Sequence, residues 1–382
     1  MRLRVKTQQR PRLIAISACR HHLPTTPFGT TSMTLNNQAE KPETEANREV
    51  LLKSFRALQV RHKKMGEMMS TLQILTDLEA PANIIFLIGP TGIGKTNLCL
   101  RVLHSLVIKN SADFECSNDQ IPYIFVPAPA NGDRSLSWKS LYTHALQSAG
   151  DIFTDKKLAR EISGGNVLKQ SGSFSTLAAL RTSLDNVLRH RKVRVLVIDE
   201  AYHLLRFGNY TAVMDTLKSI ADMTETKILL VGTYDLAGLA EAYAQVARRA
   251  EVVHFERYKV DSADDVAEFR RVLAKLQQHY PCKETPNFVA VTKELMEYSL
   301  GCLGLLKDIL RGALLLQLRS SGVWNTAFLI KSIKSAGLRE QIRREIELGE
   351  AKVANLAYGG NWMDKAAQNH LDKAIRRGGA QQ

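Results

Sequence analysis

Ile84-Ile85-Phe86-Leu87-Ile88-Gly89-Pro90-Thr91-Gly92-Ile93-Gly94-Lys95-Thr96 passes from five consecutive apolar residues into a glycine-spaced turn that closes on a lysine and a threonine. The apolar run has the length of a buried strand, and Leu98, Val102, Leu103 and Leu106 recur beyond the turn at helical spacing. Strand, glycine-rich turn and helix in that order make the setting of a phosphate-binding loop. Glycines let backbone N–H groups approach phosphate oxygens, and the helix N-terminus adds a field that favours anions. Gly89, Pro90, Thr91, Gly92, Ile93, Gly94, Lys95, Thr96 and the following Asn97 are therefore the expected nucleotide-binding positions. Lys95 is expected at the β and γ phosphates and the Thr96 hydroxyl on Mg²⁺.

A second motif strengthens the first. Val195-Leu196-Val197-Ile198-Asp199-Glu200 is an apolar run that ends in two carboxylates. Asp199 is expected in the magnesium shell, and Glu200 is placed to orient and deprotonate an attacking water. Leu229-Leu230-Val231-Gly232-Thr233 is a further apolar run with a small polar residue at its end. Thr233 fits either a sensor of the γ phosphate or a plain strand-capping turn. Arg248 and Arg249 fit either solvated arginines or a charge-stabilising pair presented to a neighbouring subunit's nucleotide, for which a planar guanidinium suits phosphate. Lys307, just inside a helix after Gly301 and Gly304, is either a surface lysine or one that points back at the nucleotide.

Working outward, Leu51, Phe55, Leu58 and Val60, then Met65, Met68, Met69, Leu72 and Leu75, suggest two helices before the first strand. Segments 83–88, 123–126, 193–198, 227–231 and 252–255 read as strands separated by amphipathic stretches, which is an α/β domain with a mainly parallel sheet. After Val260 helical periodicity takes over in 263–278, 286–299, 303–318 and 326–348, as expected of a helical lid. The expected divisions are 1–48, a flexible basic and polar extension; 49–260, the α/β core; 261–345, the lid; and 346–382, a basic tail carrying Lys365, Lys373, Arg376 and Arg377.

The net charge is +14 over 382 residues, six of the positive charges lie in residues 1–32 without an acidic residue, and the remainder is still basic. That balance favours a polyanionic partner. The acid-free start fits an organellar transit segment or an extension upstream of a start at Met33. Five scattered cysteines without a CxxC pair indicate neither a disulfide framework nor a zinc site, so a cytoplasmic location is expected. No apolar run is long enough to cross a bilayer.

With the phosphate loop, Asp199-Glu200, the Gly232-Thr233 strand end, the arginine pair and a helical lid in order, the chain resembles the TniB/TnsC-like AAA+ ATPases of transposons over about residues 50–320. Val60-Arg61-His62, Val231-Gly232-Thr233 and Gln245-Val246-Ala247-Arg248-Arg249 carry the resemblance beyond the general motifs. It implies ATP and Mg²⁺ as cofactors, ATP hydrolysis, and a homo-oligomer, ring or helical filament, on double-stranded DNA. It further implies a transposase and targeting factors as partners, and DNA-facing elements in the loop carrying Arg134 and the segment ahead of Thr176; Arg134, Lys139 and Thr176 are the candidate contacts, suited to phosphate more than to base edges. Thr176 opens an amphipathic helix whose N-terminal N–H groups suit a DNA phosphate, although a simple helix cap fits equally. An AAA+ ATPase of secretion or pilus assembly, a helicase loader, and a scaffold that uses ATP as a switch share the same nucleotide motifs. A DEAD-type helicase does not fit, because Tyr202 separates Asp199-Glu200-Ala201 from His203.

Overall fold

The structure, a computed structural model, describes residues 45–109, 119–128, 138–150, 160–163, 166–169, 176–207, 209–244, 250–354 and 356. Five parallel strands form the sheet in the order β2-β5-β6-β1-β7: β1 Ile84–Ile88, β2 Tyr123–Pro127, β5 Val195–Asp199, β6 Lys227–Gly232 and β7 Ala250–His254. Every residue of β1, β5 and β6 is buried. Strands covered on both faces read as unbroken apolar runs, which is why these three were visible in the sequence.

Register decides where the chemistry goes. Ile88 pairs with Gly232 and Pro127 with Asp199, so β1, β2, β5 and β6 end together. Gly89, Glu200 and Thr233 therefore leave the sheet along one carboxyl edge. The helices of this core are α2 Lys63–Leu75, α3 Lys95–Lys109, α4 Trp138–Ser148, α5 Leu177–His190, α6 Tyr210–Thr224 and α7 Ala237–Ala244. The lid follows as α8 Ala263–Gln278, α9 Thr292–Tyr298, α10 Leu303–Arg319, α11 Thr326–Ser332 and α12 Ala336–Val353.

Several expectations are corrected. A two-stranded antiparallel hairpin, β3 Arg160–Ser163 with β4 Asn166–Lys169, is absent from the sequence reading. Its Arg160-Glu161-Ile162-Ser163 and Asn166-Val167-Leu168-Lys169 are too short and too polar for strong alternation. The helix expected over 326–348 is two helices, because Ile333 and Ser335 take extended backbone angles between α11 and α12. The sequence divisions are also crossed by packing. The first helix, α1 Glu45–Ala57, begins inside the expected extension and packs with the lid, not with the sheet. Its Phe55 meets the Tyr280 ring edge-on at 5.5 Å. Conversely, α12 runs past residue 345, and its Ile346 and Val353 are buried in the sheet's own core.

Candidate functional site

The loop after β1 is shaped by three glycines. Gly92 and Gly94 have φ of +77° and +109°, angles that side chains disfavour. A Cβ on Gly89 would lie 2.6 Å from the Phe255 carbonyl oxygen, so β7's exit holds the loop from behind. Lys95 Nζ donates to the carbonyls of Gly89 at 2.8 Å and Pro90 at 2.9 Å. Withdrawal from water pushes its ammonium down to about 8, with Asp199 opposing the shift.

Thr96 and Asp199 meet. The Thr96 hydroxyl donates to Asp199 Oδ2 at 2.7 Å, joining the start of α3 to the tip of β5. Asp199 Oδ1 accepts from the Glu200 backbone N–H at 2.9 Å, so both carboxylate oxygens are oriented. Glu200 itself has φ of +53°, uncommon for a residue with a side chain, and this turn swings its carboxylate into solvent beyond the strand tip. The buried His203 lies below it, Nε2 to Oε2 3.9 Å. A hydroxyl and a carboxylate in contact beside a lysine form the kind of hard-oxygen donor set that suits Mg²⁺ together with phosphate.

Thr233 follows Gly232 onto the same edge, beside the strand end that leads to Gly89. Among the described residues its hydroxyl finds only Asp235 Oδ2 at 3.5 Å, and it opens the short turn Tyr234–Leu236. Asn97 lies half-buried on the first turn of α3. Lys307 is a correction: its Nζ donates to the carbonyls of Arg56 at 2.6 Å and Leu58 at 2.5 Å, closing the end of α1 instead of reaching the loop. Burial there lowers its pKa. Arg134, Arg248 and Arg249 lie outside the described residues.

Lys139 and Thr176 occupy equivalent places. Tyr142 of α4 lies beside Arg181 of α5, and Arg191 beyond α5 donates to the Ala149 carbonyl beyond α4 at 2.6 Å. The two helices therefore run side by side in the same direction. Since α5 descends to the start of β5, both N-termini rise to the carboxyl edge, with exposed Lys139 on one and Thr176 on the other. The Thr176 hydroxyl accepts from Ala179 N at 3.1 Å, so the side chain is a helix cap.

The sequence missed how the lid sits on the loop. Gly304 N donates to the Gly92 carbonyl at 2.8 Å, and a Cβ on Gly304 would lie 2.2 Å from that oxygen. Leu305 covers Gly92 from the same turn. The Gly301 carbonyl accepts from Tyr258 N at 3.1 Å, and the Tyr258 hydroxyl lies 2.8 Å from His62 Nδ1 ahead of α2. His62 Nδ1 also accepts from Met65 N at 3.3 Å, and burial lowers its pKa to about 4, so the ring is neutral with its proton on Nε2. The Gly301 and Gly304 spacing was the only signal for this seat.

Sheet order, loop and strand-tip carboxylate together define an AAA+ P-loop fold with a helical lid. Residues 78–240 match the family described as AAA domain. No curated protein sequence matches the chain. Among solved structures, it is similar to the ORC1 protein of Aeropyrum pernix in complex with DNA at 18% identity and a TM-score of 0.48, covering 78% of this chain and 70% of that one. It is similar to the ORC2 protein of Aeropyrum pernix at 13% identity and 0.44, covering 88% of each chain. For domain III of the Thermotoga maritima replication initiation protein DnaA the values are 14% and 0.42, covering 73% of this chain and 94% of that one.

Proposed function

We propose that this chain is an ATP-hydrolysing AAA+ protein that assembles as a homo-oligomer on double-stranded DNA and directs a transposase to its target. The observation that carries the ATPase reading is the contact of Thr96 with Asp199 beside Lys95, with Glu200 one residue beyond. Lys95, now on two loop carbonyls, is a poorly solvated ammonium that a phosphate would satisfy better. Thr96 and Asp199 would hold Mg²⁺, which supplies charge neutralisation along the phosphates. Glu200 takes the proton from water held beyond the strand tip, and Thr233 orients the same region from β6. Arg248 and Arg249 act on the neighbouring subunit's site.

The DNA reading rests on a basic chain and on two helix N-termini, at Lys139 and Thr176, presented together at the carboxyl edge. Transposition follows from the resemblance to TniB/TnsC-like proteins. Phosphate release with and without duplex DNA tests the ATPase, and electron microscopy with a slowly hydrolysed ATP analogue tests the assembly. Absence of turnover would refute the first, and absence of nucleotide-dependent rings or filaments the second.

A further inference from the structure

The last helix does not end in the lid. Ile342, Ile346, Gly349 and Val353 recur at helical spacing along α12, and this stripe packs on the sheet's core, where Ile346 and Val353 are buried. Gly349 meets Tyr234 face to face: a Cβ there would fall 2.0 Å from Tyr234 Cγ and 2.3 Å from Cδ2. The neighbouring Glu350 takes both ends of the Arg257 guanidinium, at 2.9 and 3.2 Å, with both side chains largely withdrawn from solvent. A bidentate pair in that setting fixes direction as well as distance.

Tyr234 directly follows Thr233. It is almost wholly buried, its hydroxyl lies 3.2 Å from His254 Nε2, and its ring is wedged between α12 and the exit of β6. Among the described residues the Thr233 hydroxyl has only the long Asp235 contact to hold it. Its position is therefore set by the residue behind it, and that residue is set by α12.

We propose that the Gly349–Val353 end of α12 is a clamp that positions Thr233 through Tyr234 and so sets the rate of ATP hydrolysis. Gly349, Glu350, Arg257 and Tyr234 are positioning residues in it. The proposal rests on the reading of Thr233 as a sensor in an ATPase. Glycine at 349 is what lets the helix backbone lie on the ring, and the Glu350–Arg257 pair stops the helix from rolling off it. Neither Lys95 nor Thr96 is in contact with the clamp residues, so turnover is expected to fall by more than nucleotide affinity.

The full chain, wild type and Gly349→Ala, is compared by hydrogen exchange and by steady-state kinetics, with Glu350→Gln as a milder variant. Expected are faster exchange over both 346–353 and 232–237, a several-fold fall in kcat, and nucleotide Kd within twofold of wild type. Glu350→Asp, which keeps a carboxylate for the Arg257 guanidinium, should lie closer to wild type in kcat than Glu350→Gln. A merely structural role for α12 would lower stability without separating kcat from nucleotide Kd. Faster exchange at 346–353 with 232–237 and kcat unchanged would overturn the proposal, as would unchanged exchange in both segments. If wild type itself releases no phosphate, the ATPase reading fails separately. The clamp is then judged on exchange alone, and unchanged exchange at 232–237 in either variant overturns it.

Discussion

Replacing Gly304 by alanine would separate the lid from the phosphate loop. The added Cβ would lie 2.2 Å from the Gly92 oxygen, where ordinary contact starts at 3.4 Å, and both partners are backbone. No rotamer relieves it, so α10 must retreat by about 1 Å and give up the Gly304–Gly92 hydrogen bond. That bond contributes about 1 kcal/mol net. Backing away also disturbs Leu306, Ile309, Leu310 and Leu314, which bury α10 in the lid core, and such repacking costs about 1–3 kcal/mol. The total, about 2–4 kcal/mol, falls either on global stability or on seating of the lid. In the first case the urea midpoint drops. In the second, nucleotide binding weakens by roughly tenfold for each 1.4 kcal/mol. Gly66→Ala is the control: on α2, nothing lies within 4 Å of its Cβ, so alanine should stabilise by about 0.5–1 kcal/mol. Urea unfolding and titration with a fluorescent ATP analogue read both quantities. A Gly304→Ala protein that matches wild type in midpoint and affinity would refute the seat.

Lys95 gives a pH dependence of defined sign. Its folded-state pKa of about 8 lies below the usual lysine value, so the penalty of a buried ammonium is complete below pH 8 and is relieved as the pH rises toward 10.5. Stability without nucleotide should rise across that window, while ATP affinity falls because the phosphates need the protonated amine; Lys95→Met should flatten both curves in calorimetric titrations. Glu200→Gln should retain nucleotide binding but lower phosphate release by about 10²-fold or more, and normal turnover would assign the base elsewhere. Arg249→Ala mixed with Lys95→Ala should recover ATPase activity in mixed oligomers, which pair an intact arginine with an intact loop; no recovery in verified mixtures would count against an inter-subunit arginine. Lys139→Ala should reduce the salt dependence of DNA binding by a slope of about 1 per protomer, equally on two unrelated duplexes, and an unchanged slope would remove Lys139 from the interface.

How much of this was legible depends on the range over which each feature is encoded. The phosphate loop, the Asp199–Glu200 strand end and the buried strands are written in consecutive residues, because backbone shape and burial act over a few positions. Segment 263–278 was read as a helix and is α8 to the residue, since Ser262 caps it and acidic Asp264 and Asp265 open it. The β3–β4 hairpin lacked such local signals.

The sequence by itself thus determined an α/β P-loop core, its central strands, and which residues stand at the loop. Only tertiary structure decided that Thr96 reaches Asp199, that Lys307 closes α1 instead of facing the loop, and that α1 and α12 exchange the domains suggested by their positions. It also decided why Gly304 and Gly349 are glycines. Each answers to a partner far along the chain, Gly92 for one and Tyr234 for the other. A missing Cβ carries no record of the atom it makes room for, so spacing cannot reveal it and only the packed fold can.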